Sequence, residues 1–313
     1  MNIEYPTKHE KKYLLKLIKK QNYFMFLIMK FAFIHPKLHE FISQIFFNLR
    51  RLKHINLNSL SHDPTKIPSF MIIGFPKAGT TSLHEYLSQH PKIFGSWNKE
   101  THFFSYGYKK GINFYLKFFE FNNKKDSLYF ESSPEYIFYP EALKRIKKFN
   151  PDMKLIICLR NPIDLLFSSY NQIKNLGLET ENFEKVLLQE NFKLELHKKR
   201  LKNDIYTLFK RPIYLPYLYI AEYVTYVKNV LEIFDVKNLF FVDSCDLKNH
   251  TQKTVDEIFE FLCLDKHTIE VNLHNTANYQ EKISSDSRKK LLDYFESYNA
   301  ELEKLLNKKF NWN

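Results

Sequence analysis

Phe70-Met-Ile-Ile-Gly-Phe-Pro-Lys-Ala-Gly-Thr-Thr-Ser-Leu-His-Glu-Tyr-Leu87 is the stretch whose reading decides the fold. Its first six residues are apolar apart from Gly74, the pattern of a strand buried on both faces. Leu83, Tyr86 and Leu87 then recur at helical spacing, and the predicted helix ends near His90-Pro91. Between them lies Gly74-x4-Gly79, followed by Thr80, Thr81 and Ser82. A strand, a glycine-bearing loop and a helix N-terminus aim backbone N–H groups and a helix dipole at one point, which favours an anion. The spacing matches the start of a P-loop, but Thr80 stands where that motif has lysine, and Lys77 comes earlier instead. This keeps a cation for a 5′-phosphate and departs from the arrangement that holds a nucleoside triphosphate with Mg²⁺.

Outward from this unit the pattern repeats. Leu155-Ile-Ile-Cys-Leu159 predicts a second buried strand, followed by a helix from Ile163, and Asn238-Leu-Phe-Phe-Val242 a third. Strands alternating with helices predict an α/β domain: a three-layer, P-loop-like parallel sheet flanked by helices. Its last helix is expected over about Ser285–Lys308. Residues 179–211 are polar and charged and read as a helical excursion from the core. Residues 55–68 read as a linker. The division expected is a basic, amphipathic helical extension over 1–60 and a single domain over 68–313.

The apolar fraction of 44% is enough for a real core and argues against a disordered chain. The net charge of +12 is uneven: residues 1–60 hold 11 Lys and Arg against 3 Asp and Glu. The remainder is close to balance, so no nucleic-acid partner is expected. Residues 8–53 alternate basic and aliphatic character, which points to an anionic membrane surface. The apolar run Tyr23–Ile34 is shorter than the roughly 20 residues of a membrane span. It reads either as a helix lying in the membrane interface or as one packed on the domain. Three cysteines, Cys158, Cys245 and Cys263, form no Cys-x-x-Cys pair. They read as reduced thiols in a cytoplasmic protein, peripheral at the membrane, or in a secretory-pathway enzyme without disulfides, the latter a Golgi membrane protein if the source is eukaryotic.

Two further segments carry chemistry. Leu159-Arg-Asn-Pro-Ile-Asp-Leu-Leu-Phe-Ser168 places an arginine after the second buried strand and a serine eight residues on. Trp97-Asn-Lys-Glu-Thr-His-Phe-Phe104 holds Glu100 and His102. With the loop at Phe75–Ser82, these segments resemble the sulfotransferases that use PAPS (3′-phosphoadenosine 5′-phosphosulfate), closest to the heparan-sulfate and carbohydrate branch. The resemblance spans about residues 69–313 and ends on Lys-Lys-Phe-Asn-Trp-Asn313. It implies the sulfotransferase fold, PAPS as donor and PAP as product, without a metal. It implies that Lys77, Ala78, Gly79, Thr80, Thr81 and Ser82 hold the 5′-phosphosulfate, and that Arg160 and Ser168 hold the 3′-phosphate. Arginine suits that task, as a planar fork of donors that stays charged. Glu100 is implied as the base taking the acceptor's proton, Lys77 as the cation stabilising the leaving group, and His102 as a residue orienting Glu100 or contacting the acceptor.

The expected acceptor is a glycan, a glycolipid or another hydroxylated molecule, and His197-Lys-Lys-Arg200 with Lys202 is either a contact for an anionic glycan or a solvated helix face. The chain departs from the resemblance at Ser132, where 3-O-type enzymes carry lysine in Glu-Lys-Thr-Pro. It also departs at Leu165, where an arginine is often found, and at His274–Ile283, where a basic, glycine-containing donor lid and paired cysteines are missing. Two other readings stay open: a different P-loop enzyme such as a small-molecule kinase, and a non-catalytic, membrane-associated PAP-binding protein.

Overall fold

A computed structural model describes residues 67–121, 126–175, 177–190, 193, 216–271 and 282–312. The basic extension over 1–60, the linker up to residue 66, the cluster at 197–202 and most of the segment 274–283 lie outside the described residues. Five strands form one sheet: β1 (Phe70–Ile72), β2 (Ile93–Gly95), β3 (Leu128–Ser132), β4 (Lys154–Leu159) and β5 (Leu239–Asp243). Their order is β2-β3-β1-β4-β5, and every pairing is parallel. Phe70 pairs with Phe130 on one side and Lys154 on the other, so β1 is central.

The helices are α1 (Thr80–Leu87), α2 (Ile112–Leu116), α3 (Pro140–Phe149), α4 (Pro162–Asn175), α5 (Tyr217–Ala221), α6 (Tyr223–Ile233), α7 (Ser244–Asn249), α8 (Thr251–Phe261) and α9 (Ser285–Leu306). Residues 183–190 of the polar excursion are also helical. Parallel crossovers are right-handed. The connection from β1 moves towards β2, and those from β3 and β4 move the other way, so their helices lie on opposite faces. Accordingly α8 packs on α1, while α6 packs on both α3 and α9. This is the expected α/β architecture of three layers.

The three strands anticipated from apolar runs are β1, β4 and β5. β1 is shorter than Phe70–Phe75 because Gly74 turns with a φ of 59°. The chain keeps hydrogen bonding to β4 through that turn: Ile73 N–H donates to Ile156 O, Phe75 N–H to Cys158 O, and Cys158 N–H to Gly74 O, at 2.8, 2.8 and 3.1 Å. The loop after β1 thus starts from a rigid edge. β2 and β3 have no apolar-run signature. β2 is three residues long, and β3 ends on Glu131 and Ser132, both fully buried.

Aromatic packing holds the sheet and its covering layer together. Phe70 stacks on Phe130 across the β1–β3 pair at 4.7 Å, and Phe75 meets Tyr223 of α6 at 4.4 Å. Each fully buried phenylalanine contributes about 1.5–3 kcal/mol. The C-terminal segment closes the end of β5. Trp312 stacks on Phe310 and donates its indole N–H to Asp243 Oδ2 at 3.1 Å, while Asp243 Oδ1 caps α7 through Cys245 N–H. Among the described residues, no helix is long and apolar enough to cross a membrane.

Candidate active site

In an open parallel sheet the ligand crevice lies beyond the carboxyl ends of the strands, where the strand order reverses. Here that point is the end of β1, between β3 and β4. Gly74, Lys77 and Gly79 all have positive φ, at 59°, 70° and 89°. Glycine adopts this readily; for Lys77 it is a strained conformation, of the kind that clusters at functional sites. At Gly74 a side chain is disfavoured twice over, by the positive φ and because a Cβ would lie 2.6 Å from Ile137 Cδ1, which would have to move. Gly79 caps α1 and has no side chain to satisfy the first N–H groups of that helix, those of Thr80, Thr81 and Ser82. Ala78 is fully buried and fixes the loop against the core.

Arg160 follows β4 directly and reaches across to this loop. Its Nη1 donates to Lys77 O at 2.9 Å, and its own carbonyl accepts from Tyr223 OH at 2.8 Å. Burial lowers the Lys77 pKa, and the neighbouring Arg160 charge lowers it further. Two cations are therefore held side by side, and no carboxylate lies within ion-pair distance of either among the described residues. Ser168 sits in the second turn of α4 and is buried.

The segment after β2 brings a second group of side chains to the same end of the sheet. Glu131, buried at the end of β3, accepts from Ser133 Oγ at 2.8 Å, from Tyr136 OH at 3.0 Å, and from Thr101 Oγ1. Burial pushes its pKa up, and these hydroxyl donors offset that in part. The network pins Thr101, and with it the residues on either side, Glu100 and His102. Arg145 of α3 braces the following turn from Nη1 to Phe104 O at 2.8 Å.

Glu100 is only a third exposed. Its Oε1 lies 3.4 Å from Lys99 Nζ and its Oε2 lies 3.6 Å from His102 Nε2. Burial raises its pKa first and the Glu135 charge raises it further; His102 and Lys99 act in the opposite sense. His102 has a positive φ of 52° and joins Glu135 Oε1 through Nδ1 at 2.5 Å. The three ligand atoms of Glu100, His102 and Glu135 lie within 4.8 Å of one another. Glu135 joins this group from the turn that follows β3.

Ser132, where the resemblance expects lysine, is hydrogen-bonded to His84 Nδ1 at 2.7 Å. Burial, then the Lys99 charge, lowers the His84 pKa to about 4, so the imidazole is neutral. The Lys99 charge also bears on Cys158 of β4, whose thiol burial pushes up to about 12. The Lys99 charge is thus felt at His84, the hydrogen-bond partner of Ser132. Sequence reasoning placed Lys77 and Arg160 at strand ends and singled out Glu100 and His102 by resemblance alone. It missed Lys99, which adjoins Glu100, and Glu131, Ser133 and Glu135, whose only signal was two glutamates flanking Ser-Ser-Pro.

The sulfotransferase domain profile matches residues 68–309. The mouse bifunctional heparan sulfate N-deacetylase/N-sulfotransferase 1 is 26% identical over 289 residues, covering 82% of this chain and 31% of that protein. Mouse heparan sulfate glucosamine 3-O-sulfotransferase 5 is 28% identical over 220 residues, covering 68% of this chain and 58% of that protein. The chain therefore spans about a third to three-fifths of these relatives' lengths. The crystal structure of a sulfotransferase from Alicyclobacillus acidocaldarius superposes with a TM-score of 0.64 at 25% identity, covering 78% of this chain and 98% of that one. The β2-β3-β1-β4-β5 sheet, the glycine-bearing loop at its switch point and the profile match agree: the chain belongs to the sulfotransferase domain family.

Proposed function

We propose that this protein transfers a sulfuryl group from PAPS to a hydroxyl or amine of a carbohydrate-containing acceptor, with residues 68–313 as the catalytic domain. The observation that carries the proposal is the pair of cations at the ends of β1 and β4: Arg160 Nη1 donates to the Lys77 backbone carbonyl at 2.9 Å, and its charge lowers the Lys77 pKa. Such a pair repels itself until an anion binds. The residues fit the donor: the loop over Lys77–Ser82 suits a 5′-phosphosulfate, and Arg160 with Ser168 suits a separate 3′-phosphate. PAPS supplies an activated sulfuryl group with a good leaving phosphate.

Glu100 takes the acceptor's proton as the new bond to sulfur forms and the bond from sulfur to the 5′-phosphate oxygen breaks. Its raised pKa makes it a better base than a solvated glutamate. Lys77 meets the negative charge that develops on the leaving oxygen, in a site where such charges count for more than in water. Lys99 adds a cation on the base side. The carbohydrate acceptor follows from the relatives, whose names specify heparan sulfate and its glucosamine. Residues 8–53 as an anionic-membrane contact and 197–202 as a glycan contact stand on the sequence.

Incubating the purified protein with ³⁵S-labelled PAPS and a panel of glycans and glycolipids tests the reading, with calorimetry of PAP as the donor control. Transfer that is lost in Glu100→Gln while PAP affinity stays within about twofold is the expected result. A protein that binds Mg·ATP but not PAP overturns the donor assignment, and a fully active Glu100→Gln overturns the base.

A further inference from the structure

Glu135 is the least explained charge in the molecule. Its side chain is 2% exposed, and Oε2 has no hydrogen-bond partner. Oε1 accepts from His102 at 2.5 Å and from Ser105 Oγ at 3.2 Å. A buried carboxylate left with one bare oxygen is costly unless a cation neutralises it. The only basic side chain within ion-pair distance of it, among the described residues, is His102. We propose that Glu135 is the positioning residue of a proton relay, anchoring the His102 imidazole through Nδ1 so that Nε2 faces Glu100 and receives the acceptor's proton from it.

The geometry supports this at each step. A histidine's free nitrogen is defined by the hydrogen bond its other nitrogen makes. With Nδ1–H donated to Glu135, Nε2 is left as the acceptor, 3.6 Å from Glu100 Oε2. The histidine's stem is fixed too. Its N–H donates to Ser133 Oγ at 3.2 Å, and its carbonyl accepts from the N–H groups of Tyr106 and Gly107, both at 3.0 Å. The Tyr106 ring packs on the imidazole at 5.5 Å.

The charges facing the relay are Glu100, Glu135 and Lys99, with the phenols of Tyr136 and Tyr139 felt on the Glu135 side. Two carboxylates flanking one imidazole favour the imidazolium once a proton arrives. The balance is simple: the proton leaves the acceptor for Glu100, passes to Nε2, and is released to solvent from the part-exposed ring after the product departs. The same three groups offer a ligand set for a divalent cation. Against that use, Nδ1 is already committed to Glu135, and Lys99 Nζ stands 3.4 Å from Glu100.

The inference rests on Glu100 being the base, so the experiment reads the histidine directly as well as the turnover. In ¹⁵N-histidine-labelled protein, with the His102 signals assigned from a His102→Gln variant, wild type is expected to show the Nδ1–H tautomer when neutral. Glu135→Gln is expected to lower the His102 titration midpoint. It should also reduce kcat roughly 10- to 100-fold, leave KM for donor and acceptor within about threefold, and move the acid limb of the rate profile to lower pH. Glu135→Asp should recover part of the rate.

An Nε2–H tautomer in wild type, or an unchanged His102 titration in Glu135→Gln, overturns the relay. So does Zn²⁺ that shifts the His102 signals and raises kcat. The tautomer measurement on wild type needs no variant to fold and no acceptor. The expected histidine behaviour with no transfer to any acceptor would support the positioning contact and sink the sulfotransferase reading instead.

Discussion

Replacing Arg160 with alanine separates a phosphate-binding arginine from one that merely braces a loop. In the free protein Arg160 makes one charge-assisted bond, to Lys77 O at 2.9 Å, and its charge opposes the Lys77 ammonium. The bond stabilises and the repulsion destabilises, so folding stability should change by no more than about 1 kcal/mol. Donor binding should respond far more. A guanidinium that grips a phosphate through two charge-assisted bonds contributes on the order of 3–4 kcal/mol, which is about 100- to 1000-fold in Kd. Titration calorimetry with PAP and with adenosine 5′-phosphate, which lacks the 3′-phosphate, reads the difference. Wild type should prefer PAP. Arg160→Ala should bind both nucleotides with similar, weak affinity, whereas Lys77→Ala should weaken both by a similar factor. PAP binding at alkaline pH should take up protons, because the anion restores a Lys77 pKa that burial and Arg160 had lowered. An Arg160→Ala protein that binds PAP within about threefold of wild type refutes the reasoning. Equal losses for the two nucleotides would mean that Arg160 acts only by holding the loop.

Other outcomes follow from single sites. Gly74→Ala forces a Cβ to 2.6 Å from Ile137 Cδ1 at a φ of 59°, and should cost about 2–4 kcal/mol in urea denaturation. Gly79→Ala meets only Leu247 Cδ2 at 3.4 Å, so its cost is conformational, about 1–2 kcal/mol, and appears together with weaker PAP binding. Burial pushes Glu190 up to about 6, against about 4.3 for an unfolded glutamate, despite the Leu218 N–H bond at 3.0 Å. A raised carboxyl contributes stability that is complete below about pH 4.3 and is lost as pH rises through about 6. Glu190→Gln should therefore be about 1–2 kcal/mol more stable than wild type near neutral pH and no more stable near pH 4, measured by denaturation at both. For turnover, kcat/KM should fall as pH drops through a midpoint above the ordinary glutamate range, since the Glu100 pKa is raised. A midpoint at or below about 4.3 would remove Glu100 from the role of base.

Much of the fold was legible because its buried strands are local apolar runs. Phe70–Phe75, Leu155–Leu159 and Asn238–Val242 each announce a strand without reference to the rest of the chain, and alternation with helices then implies a parallel sheet. β3 was not legible in this way. Glu131 and Ser132 break the apolar run, and their burial is made tolerable by Thr101, Tyr136 and His84 from other elements and by the adjoining Ser133, which bond them. β2 is too short for any periodicity to show.

The same division holds at the site. The glycine spacing, Lys77 ahead of Gly79, and Arg160 after an apolar run are facts of local sequence. They sufficed to point to an anion at the ends of β1 and β4, because a strand-loop-helix unit builds its binding site from its own backbone. What only the tertiary structure decided was the environment of Glu100. Glu100 gains its raised pKa from burial and from Glu135, a residue 35 positions away. His102 gains its orientation from that same carboxylate, and Ser132 is bonded to His84, where the Lys99 charge is felt. Burial and through-space charge depend on which strand ends the fold sets side by side, and no reading of neighbouring residues contains that distance.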